Sequence, residues 1–557
     1  MSGIGRRDFL RGSAAAGFTG MLGAAQGQDA AKSNGRWLLD ARFKETTLAD
    51  TRVRLRTYNG QVPGPLMRIH PGETLRIRVQ NSLPKTDSHG WDGDPDVPHM
   101  LDTTNLHLHG LDIMPHLFEP VGTSNPLAPM IAIRPGEHKD YEFLIPKDQP
   151  PGLYWYHPHH HGSTAVQAAS GMAGGIIVHG EIDEVPEIRA ARDIPLVIQD
   201  AGLFPSEEDP NLWTYEPKQN AIWQTFDGYV TIKGVKTNLQ GGFTTGDYKL
   251  RYYLLNGHAF YKETHNYTQN KQTDPVPTQL PVTRIRMAPG EVVRFRMLNG
   301  CSDNLMPIVV EDHPLYLLAM DGNNYEAPVL KPVQPINGST PQVLVAPANR
   351  AEFLIQGNSR PGIYRIVQLA QSQQFLFSAQ KVLAEIEIAG PVRNMGIPRR
   401  LPRPSRDYPL IKPGEIKRVR QFLFNSQFPG KLNPIVGIDF MINHALYDEF
   451  AVPTTVHLNE AEEWHIIVPG SQHGGTEGHP FHIHVNDFEV ISIGGIAQPP
   501  GMIQDTIWVP MNTEVVIRTK FKQWTGKSVF HCHILPHEDT GMMQNFLIFP
   551  PSEGRMR

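Results

Sequence analysis

A phrase that recurs three times along these 557 residues constrains the fold most. PGETLRIRVQN at 71–81 and PGEVVRFRMLN at 289–299 are near copies, and NEAEEWHIIV at 459–468 is a diverged third copy. Pro-Gly favours a turn, and the alternation of apolar with charged residues that follows it is typical of a half-buried strand. Each copy therefore predicts a turn that leads into a β-strand.

A second phrase follows each copy of the first. It reads PGLYWYH at 151–157, PGIYRIV at 361–367 and TGKSVFH at 525–531. Two features in the same order, three times, predict three copies of one β-sandwich. The first and third copies of this phrase end in histidine, whereas the second ends in valine, so the middle copy lacks a side chain that can bind a metal.

The length agrees with three domains, because one hydrophobic core rarely serves more than about 250–300 residues. The stretch VRNMGIPRRLPRPSRDYP at 392–409 is rich in Pro and Arg, and it predicts an extended linker. We therefore divide the chain into a signal peptide at 1–30, a first domain at 36–185, a second domain at 186–390, a linker at 391–410 and a third domain at 411–557.

The composition is that of an ordinary soluble globular protein, with 40% hydrophobic and 19% charged residues. The net charge of -5 gives no basic surface for nucleic acid. Cys301 and Cys532 are the two cysteines. If Cys532 binds a metal, no disulfide framework is expected, and Cys301 is most simply a small buried residue.

The first residues, MSGIGRRDFLRGSAAAGFTGMLGAAQG, combine Arg6 and Arg7 with a short apolar stretch rich in Gly and Ala. This pattern resembles a twin-arginine (Tat) signal, which the Tat export machinery reads as an address. The stretch is too short to span a bilayer, and no later segment is apolar for long enough. We therefore expect no membrane anchor and a bacterial protein that is periplasmic or otherwise exported.

Residues 531–542, HCHILPHEDTGM, place one thiol, three imidazoles and a thioether within twelve positions. A thiolate beside imidazoles, with a weak thioether further on, is the ligand set of a blue-copper electron-transfer centre. Zinc more often takes a second cysteine or a set of histidines and carboxylates. The segment therefore favours copper.

Histidines that lie two positions apart form four pairs, His107/His109, His157/His159, His482/His484 and His531/His533. Side chains at i and i+2 of a strand lie on the same face, so each pair can offer two imidazoles to one site. Cys532 lies between two of these histidines and is expected on the opposite face. One strand would then join a thiolate-bound metal to a metal group bound by histidines.

The segments HLHG (107–110), YWYHPHHHG (154–162), HPFHIH (479–484) and HCHILPHEDTGMM (531–543) resemble the four copper-binding motifs of multicopper oxidases. The resemblance covers nearly the whole mature chain. The chain resembles the bacterial laccase-like branch of three-domain enzymes, which includes cuprous oxidases and bilirubin oxidases. The resemblance implies an all-β chain of three cupredoxin-like Greek-key β-sandwich domains with four copper ions, one of type 1, one of type 2 and two of type 3.

Carried over residue by residue, the resemblance implies a type 1 copper held by His479, Cys532 and His537, with Met542 as its axial ligand. It implies that His107 and His482 hold the type 2 copper. The type 3 pair would be held by His109, His157 and His533 on one ion and by His159, His484 and His531 on the other.

Some residues near these motifs have more than one interpretation. Met543 could be the axial ligand, but Met542 has the family's spacing from the cysteine, so Met543 is more simply a core residue. Glu538 matches a position implicated in proton delivery in similar oxidases, which would make it catalytic together with Cys532; a surface carboxylate is the alternative. His160 and His161 extend a motif and are expected in a loop or behind the ligands.

Isolated histidines are usually satisfied surface or core residues. We apply this interpretation to His116, His138, His179, His258, His265 and His313.

The sequence departs from the family pattern after HLHG. Relatives often carry an acidic residue there in a segment such as SDN, whereas this chain reads GTSNPLAP at 122–129. Either Asp112 or Glu119 replaces that acid, or protons reach the type 2 copper differently. The copper ligands themselves are all present.

The resemblance implies an oxidase that takes single electrons from phenols, aromatic amines or metal ions at the type 1 copper and reduces O2 to water at a trinuclear cluster. The chain has no methionine-rich insertion, which favours phenols and aromatic amines over Cu(I). A cuprous oxidase that serves copper tolerance and a non-enzymatic copper-binding or structural cupredoxin protein are the alternatives. A copper nitrite reductase is disfavoured, because such enzymes typically have two domains per chain and lack eight paired histidines. A structural cupredoxin relative would be expected to have lost copper ligands, and this sequence has lost none.

Overall fold

The structure is a computed structural model. It describes residues 32–552 except 34, 86–94, 207, 216–227, 233–234, 240–247, 265–266, 269–270, 273–275, 374–375, 404–410, 428–429, 434–435, 437 and 471–476. The signal peptide predicted at 1–30 lies outside the described residues.

The fold is all-β, as predicted, and its strands form three sandwiches of cupredoxin type. Each sandwich packs two sheets around its own hydrophobic core. The domain boundaries given above stay predictions.

The first sandwich packs a sheet of long strands on a four-stranded sheet. The long strands are β2 (Arg36–Leu48), β3 (Thr51–Tyr58), β5 (Thr74–Asn81) and β7 (His138–Leu144), and the two-residue strand β1 (Lys32–Ser33) pairs with β2. The four-stranded sheet contains β4 (Gly64–Ile69), β6 (His107–His109), β8 (Gly152–His157) and β9 (Gly174–Val178).

The second sandwich continues the sheet of long strands, because β10 and β11 join it to β3 in one 14-stranded sheet. Its part of that sheet contains β10 (Arg192–Pro205), β11 (Trp213–Thr214), β14 (Leu250–Leu255), β15 (His258–Thr264), β18 (Val276–Gln279), β20 (Val292–Asn299), β22 (Leu315–Met320), β23 (Asn323–Lys331) and β25 (Arg350–Gln356). The facing sheet contains β19 (Thr283–Met287), β21 (Met306–Val310), β24 (Val343–Val345), β26 (Gly362–Gln368) and β29 (Lys381–Ile388). Three hairpins are β12 (Gly228–Ile232) with β13 (Val235–Leu239), β16 (Tyr267–Thr268) with β17 (Lys271–Gln272), and β27 (Gln371–Gln373) with β28 (Leu376–Ser378).

The third sandwich packs a seven-stranded sheet on a five-stranded one. The larger sheet contains β30 (Ile416–Gln427), β31 (Asp439–Ile442), β33 (Ala461–Val468), β35 (Phe488–Ile493), β36 (Ile496–Ala497), β37 (Ile503–Gln504) and β39 (Thr513–Lys520). The smaller sheet, in the order β32-β41-β40-β34-β38, contains β32 (Thr454–His457), β34 (His479–Ile483), β38 (Thr506–Val509), β40 (Gly526–Cys532) and β41 (Met543–Phe549).

Helices are short and lie between strands. They are α1 (Thr164–Ala168), α2 (Pro186–Ala190) and α3 (Leu535–Glu538), with single 3-10 turns at Glu181–Glu184 and Pro413–Glu415. Within the described part of the chain, none of the helices has the length and apolar character needed to cross a membrane.

The recurring phrase forms a strand in each sandwich, but the strands differ in burial. β5 and β33 alternate between buried and less buried residues, as predicted for half-buried strands. The prediction is wrong for β20, which is buried along its whole length. Its charged side chains remain compatible with burial because Arg294 and Arg296 form ion pairs with Glu352.

Candidate metal centres

Two pairs of neighbouring strands carry the histidines of the four motifs. In the first sandwich, β6 pairs with β8, and His107 lies opposite His157. In the third sandwich, β34 pairs with β40, and His482 lies opposite His531. The eight paired histidines lie within these strands or just past their ends, so the hydrogen bonds between the strands fix the positions of their Cα atoms, whereas His537 lies in α3.

On one side of β40 the structure brings together Cys532, His479 and His537. Sγ of Cys532 lies 3.5 Å from Nδ1 of His479 and 3.8 Å from Nδ1 of His537, and the two nitrogens are 3.3 Å apart. All three side chains are buried. The thiol and two imidazole nitrogens thus converge on one point, as a thiolate-bound copper requires.

The two neighbouring methionines face different surroundings. Met542 is fully buried in the core cluster that contains Cys532, and its backbone oxygen accepts a hydrogen bond from the Cys532 N–H. Met543 begins β41 and packs in another cluster with Leu117 and Val529. Met542, and not Met543, therefore shares a core cluster with the thiol.

On the other side of β40, eight histidines meet between the first and third sandwiches. Their nitrogens form three groups, of which two share His109, and within each group the atoms lie within 4.8 Å of one another. These groups are His107, His109 and His482; His109, His157 and His533; and His159, His484 and His531. The predicted alternation of faces is confirmed, because Cys532 and its two flanking histidines belong to different groups.

Glu538 lies directly behind the third of these groups. Nε2 of His159 and Nε2 of His484 each lie 3.1 Å from Nε2 of His531. The opposite nitrogens, Nδ1 of His159 and Nδ1 of His531, are each 3.2 Å from one carboxylate oxygen of Glu538. Glu538 is 0% exposed, so the alternative of a surface carboxylate is wrong.

Burial keeps the histidines neutral and therefore able to bind a metal. It lowers the pKa of His157, His479 and His531 to about 3. Burial also raises the pKa of the Cys532 thiol well above its ordinary value, so a bound cation is needed to favour the thiolate. The pKa of Glu538 is raised well above its ordinary value by burial and then by the neighbouring carboxyl group of Asp539.

Asp505 is a second acid that touches the histidine cluster, and the sequence did not predict it. The Nε2–H of His109 donates to Oδ1 of Asp505 at 3.2 Å, and Nδ1–H of His482 donates to the Asp505 backbone oxygen at 2.8 Å. The suggestion that Glu119 replaces the missing acid is wrong, because Glu119 is exposed and pairs with Lys139. Asp112 is buried, and its backbone N–H bonds to the side chain of Gln149.

His537 also has an acidic neighbour on its far side. Its ring stacks on Phe440 with centroids 3.9 Å apart, and Nε2 lies 3.5 Å from Oε1 of Glu477. His537 and Glu477 are each 5% exposed. This edge is therefore the part of the Cys532 group that lies nearest to solvent.

The isolated histidines that the structure describes behave as expected. His116 is buried and accepts the Leu108 N–H at Nε2, and His313 donates at Nδ1 to the Glu311 backbone oxygen. His138 and His258 are exposed and His179 is half-buried, while His265 lies outside the described residues. His160 and His161 lie in the turn before α1 and are buried. Cys301 is buried in the second core, as predicted.

The cluster contains buried nitrogens that nothing in the described part of the chain satisfies. These atoms are both ring nitrogens of His107 and His533, Nδ1 of His109, Nε2 of His157 and Nε2 of His482. A buried polar atom without a partner is costly in free energy. A metal ion would provide a partner for several of these neutral imidazole nitrogens at once. The protein's own hydrogen bonds occupy the opposite nitrogens of His109, His157 and His482, which fixes the tautomer of each ring.

Comparison with known proteins decides the family. Family models described as multicopper oxidase match residues 41–96, 97–182, 231–383 and 420–552, which is more than half of the sequence. The chain belongs to the multicopper oxidase family. It is therefore an oxidase, copper is its cofactor, and a reducing substrate and O2 are its reactants.

Relatives resemble this multicopper oxidase along most of its length. It is 24% identical to "Multicopper oxidase mco" of Staphylococcus haemolyticus over 87% of this chain and 82% of that protein. It is 23% identical to "Laccase" of Bacillus subtilis over 90% of this chain and 91% of that protein. A solved multicopper oxidase from Campylobacter jejuni aligns with a TM-score of 0.64 at 21% identity, covering 94% of this chain and 93% of that one, which supports the fold.

Proposed function

We propose that this multicopper oxidase binds four copper ions per chain, takes electrons one at a time from a phenol or an aromatic amine, and reduces O2 to water. The observation that carries the proposal is the HisCysHis segment at 531–533, at the end of β40, whose cysteine belongs to one buried group and whose histidines belong to two others. A single strand therefore links a thiolate site to an imidazole cluster.

The ligand assignment follows the groups of converging atoms. His479, Cys532 and His537, with Met542 as axial ligand, would hold the type 1 copper. The trios His109, His157, His533 and His159, His484, His531 would hold the type 3 pair, and His107 with His482 would hold the type 2 copper. Cys532 and its neighbours then give a covalent path of a few bonds between the two sites.

Copper supplies one-electron chemistry at the cysteine site and the four-electron reduction of O2 at the cluster. The protein's part is to keep the imidazoles neutral, to fix their tautomers through Asp505 and Pro158, and to exclude water from both groups. His537, beside Glu477, offers the ring edge at which an electron donor would approach.

Glu538 is the residue that we propose as the proton donor for water formation. It is fully buried, and its two oxygens lie 3.2 Å from His159 and His531 of one cluster group. No other carboxylate in the described residues contacts two rings of that trio. A proton held at Oε1 or Oε2 is therefore adjacent to the place where O2 is reduced.

The donor class rests on an argument from the sequence. The methionines are scattered rather than collected in an insertion, which favours phenols and aromatic amines over Cu(I). A metal-ion donor is the second candidate, since the similar Campylobacter jejuni protein is described as a metallo-oxidase.

Oxygen uptake with different donors tests this proposal. The copper-loaded protein is given 2,6-dimethoxyphenol, p-phenylenediamine or Cu(I) under air, and O2, oxidised donor and peroxide are measured. We expect one O2 consumed for four electrons, no peroxide, and a higher kcat/KM for the organic donors. A higher kcat/KM for Cu(I) would show that the preferred donor is a metal ion rather than a phenol or an aromatic amine. No oxygen uptake with any donor would overturn the oxidase mechanism.

Export through the Tat machinery is part of the same proposal, and its support is the Arg6-Arg7 pair followed by a short apolar stretch. Replacing both arginines by lysine is expected to leave the protein in the cytoplasm of a bacterial host. A periplasmic location of that variant would contradict a Tat signal.

A further inference from the structure

The second sandwich contributes no residue to the four groups that the structure describes, yet one of its side chains reaches both neighbouring sandwiches. Arg350 is the first residue of β25, and it is 0% exposed. A buried guanidinium is costly unless all of its donors are paired. Its partners therefore show what it holds in place.

The guanidinium of Arg350 bridges the first and third sandwiches. Nε donates to the backbone oxygen of Leu153 in β8 at 3.2 Å. Nη1 and Nη2 donate to the two carboxylate oxygens of Asp505 at 2.9 and 2.6 Å. The same side chain thus contacts the strand that ends in His157 and the acid that bonds to His109.

Asp505 transmits this contact to two rings of the cluster. Its Oδ1 accepts from Nε2 of His109, and its backbone oxygen accepts from Nδ1 of His482. Both bonds leave the other ring nitrogen turned toward the cluster, where the described residues offer it no partner. If the Asp505 carboxylate rotated, the tautomer and orientation of His109 would no longer be fixed.

Arg350 is itself held at its backbone. Its N–H donates to Oδ1 of Asp321 at 2.8 Å, and Asn349 donates both to Asp321 and to the backbone oxygen of Thr506. The side chains of Arg350 and Asn349 therefore bond to the same segment of the third sandwich, at Asp505 and Thr506, while the main chain of Arg350 is fixed to Asp321 within the second sandwich.

In the first sandwich, the glycine that ends the HLHG motif leaves space for the ion pair between Arg350 and Asp505. A Cβ atom on Gly110 would lie 2.3 Å from Nη2 of Arg350 and 2.7 Å from Oδ2 of Asp505. The ion pair therefore packs directly against the residue that follows His109.

We propose that Arg350 is a positioning residue that sets the geometry of the histidine cluster by locking Asp505 against β8. The inference rests on the proposed function, because it requires the cluster to bind copper. It assigns a role in metal binding to the second sandwich, whose described residues contribute no member to the four groups. The planar fork of arginine is required, since lysine offers a point charge that cannot bond both oxygens of Asp505 and Leu153 together.

The test compares copper affinities of the two kinds of site. Wild-type protein and the Arg350→Lys variant are titrated with Cu(II) against a chelator, while blue absorption reports the Cys532 site and electron paramagnetic resonance reports the type 2 copper. The control is Arg420→Lys, because Arg420 also makes a bidentate pair, with Glu462, but within the third sandwich and without contact to a cluster histidine.

We expect Arg350→Lys to weaken copper binding at the cluster roughly 10- to 100-fold, the range seen when a residue that orients a ligand is changed. The blue site should keep its affinity, and the Arg420→Lys control should keep both affinities. Equal weakening of the blue site, or a similar loss in the control, would show a general structural role and overturn the proposal. Unchanged cluster affinity and an unchanged type 2 signal would also overturn it.

Asp505→Asn keeps the test decisive if Arg350→Lys does not fold, because it keeps the size of the side chain and removes the charge that pairs with Arg350. It should weaken the cluster and spare the blue site, and unchanged cluster affinity would refute the proposal. Wild-type protein separates this outcome from failure of the proposed function: wild type that binds copper only at the Cys532 site contradicts the cluster itself.

Discussion

The two candidate copper centres lie on opposite faces of β40, yet they are built in different ways. The Cys532 centre takes all of its residues from one stretch of the third sandwich, 479–542, and Cys532 and Met542 lie in the core cluster built mainly by that sandwich. The histidine cluster takes four rings from the first sandwich and four from the third. The first centre requires one domain to fold, whereas the second requires two domains to meet.

This difference explains why the proposed bridge from the second sandwich acts on the histidine cluster. Arg350 joins β8 of the first sandwich to Asp505 of the third. The Cys532 centre lies within a single sandwich, and its three converging side chains need no such bridge. Changes to one centre should therefore leave the other able to form.

The largest expected effect is that of Cys532→Ser. The variant should lose the blue absorption and all substrate oxidation, because the hydroxyl of serine is a poor ligand for a blue-copper site. The histidine cluster should still bind copper, which total copper analysis would measure. Retained blue colour would contradict the assignment of Cys532.

His157→Ala makes the opposite change. The variant should keep the blue absorption, and it should lose O2 reduction because one trio of cluster nitrogens loses a member. Anaerobic bleaching of the blue band by the donor, followed by admission of air, separates the two steps. Normal reoxidation by air would show that His157 is not part of the cluster.

Glu538→Gln tests the proton donor within an intact cluster. Glutamine keeps the shape of the side chain and cannot release a proton, so we expect turnover under air to fall about 10²–10⁴-fold. Anaerobic reduction of the Cys532 centre by the donor should keep its rate, since Glu538 lies on the other side of the strand. Equal slowing of both reactions would argue for a structural role.

Acid should destabilise the copper-free protein through its buried histidines. Burial lowers the pKa of His116 to about 4 and that of His157 to about 3. The unfolded chain binds protons below about pH 6.5, whereas the folded chain does not. The stability that these neutral histidines contribute is therefore fully present above about pH 6.5. It is lost as the pH falls toward about 4 for His116 and about 3 for His157.

Thermal unfolding of the copper-free protein between pH 8 and pH 4 measures this loss. His116→Gln is a suitable control, because it removes one such histidine that is not a proposed ligand. As the pH is lowered from about 6.5 to about 4, the free energy of unfolding of this variant should fall less steeply than that of the wild type. The two slopes should differ by about 1.4 kcal/mol per pH unit. An identical slope in the variant would contradict the role of burial.

The sequence predicted those parts of the site that depend on local spacing. Histidines at i and i+2 with a cysteine between them determine which residues share a face of a strand, and the structure agrees for Cys532. The burial of Glu538 was not predictable, because it depends on how α3 packs against the first sandwich. The choice between Met542 and Met543 was predicted from spacing, and their different core clusters now support it.

Residues that act between domains were beyond the sequence. Asp505 and His109 are 396 positions apart, and Arg350 and Asp505 are 155 positions apart. No periodicity or local motif relates such positions, since only the packing of sandwiches brings them together. For the same reason β20, whose charged residues suggested a half-buried strand, turned out to be buried.

The most direct test of two centres on one strand is the copper content of purified, copper-loaded protein, measured together with its blue absorption and paramagnetic resonance. We predict about four copper ions per chain, of which one is blue and one is a type 2 copper, as the four groups of converging side chains imply. About one copper per chain with blue colour would contradict the cluster, and copper content near zero would contradict both centres.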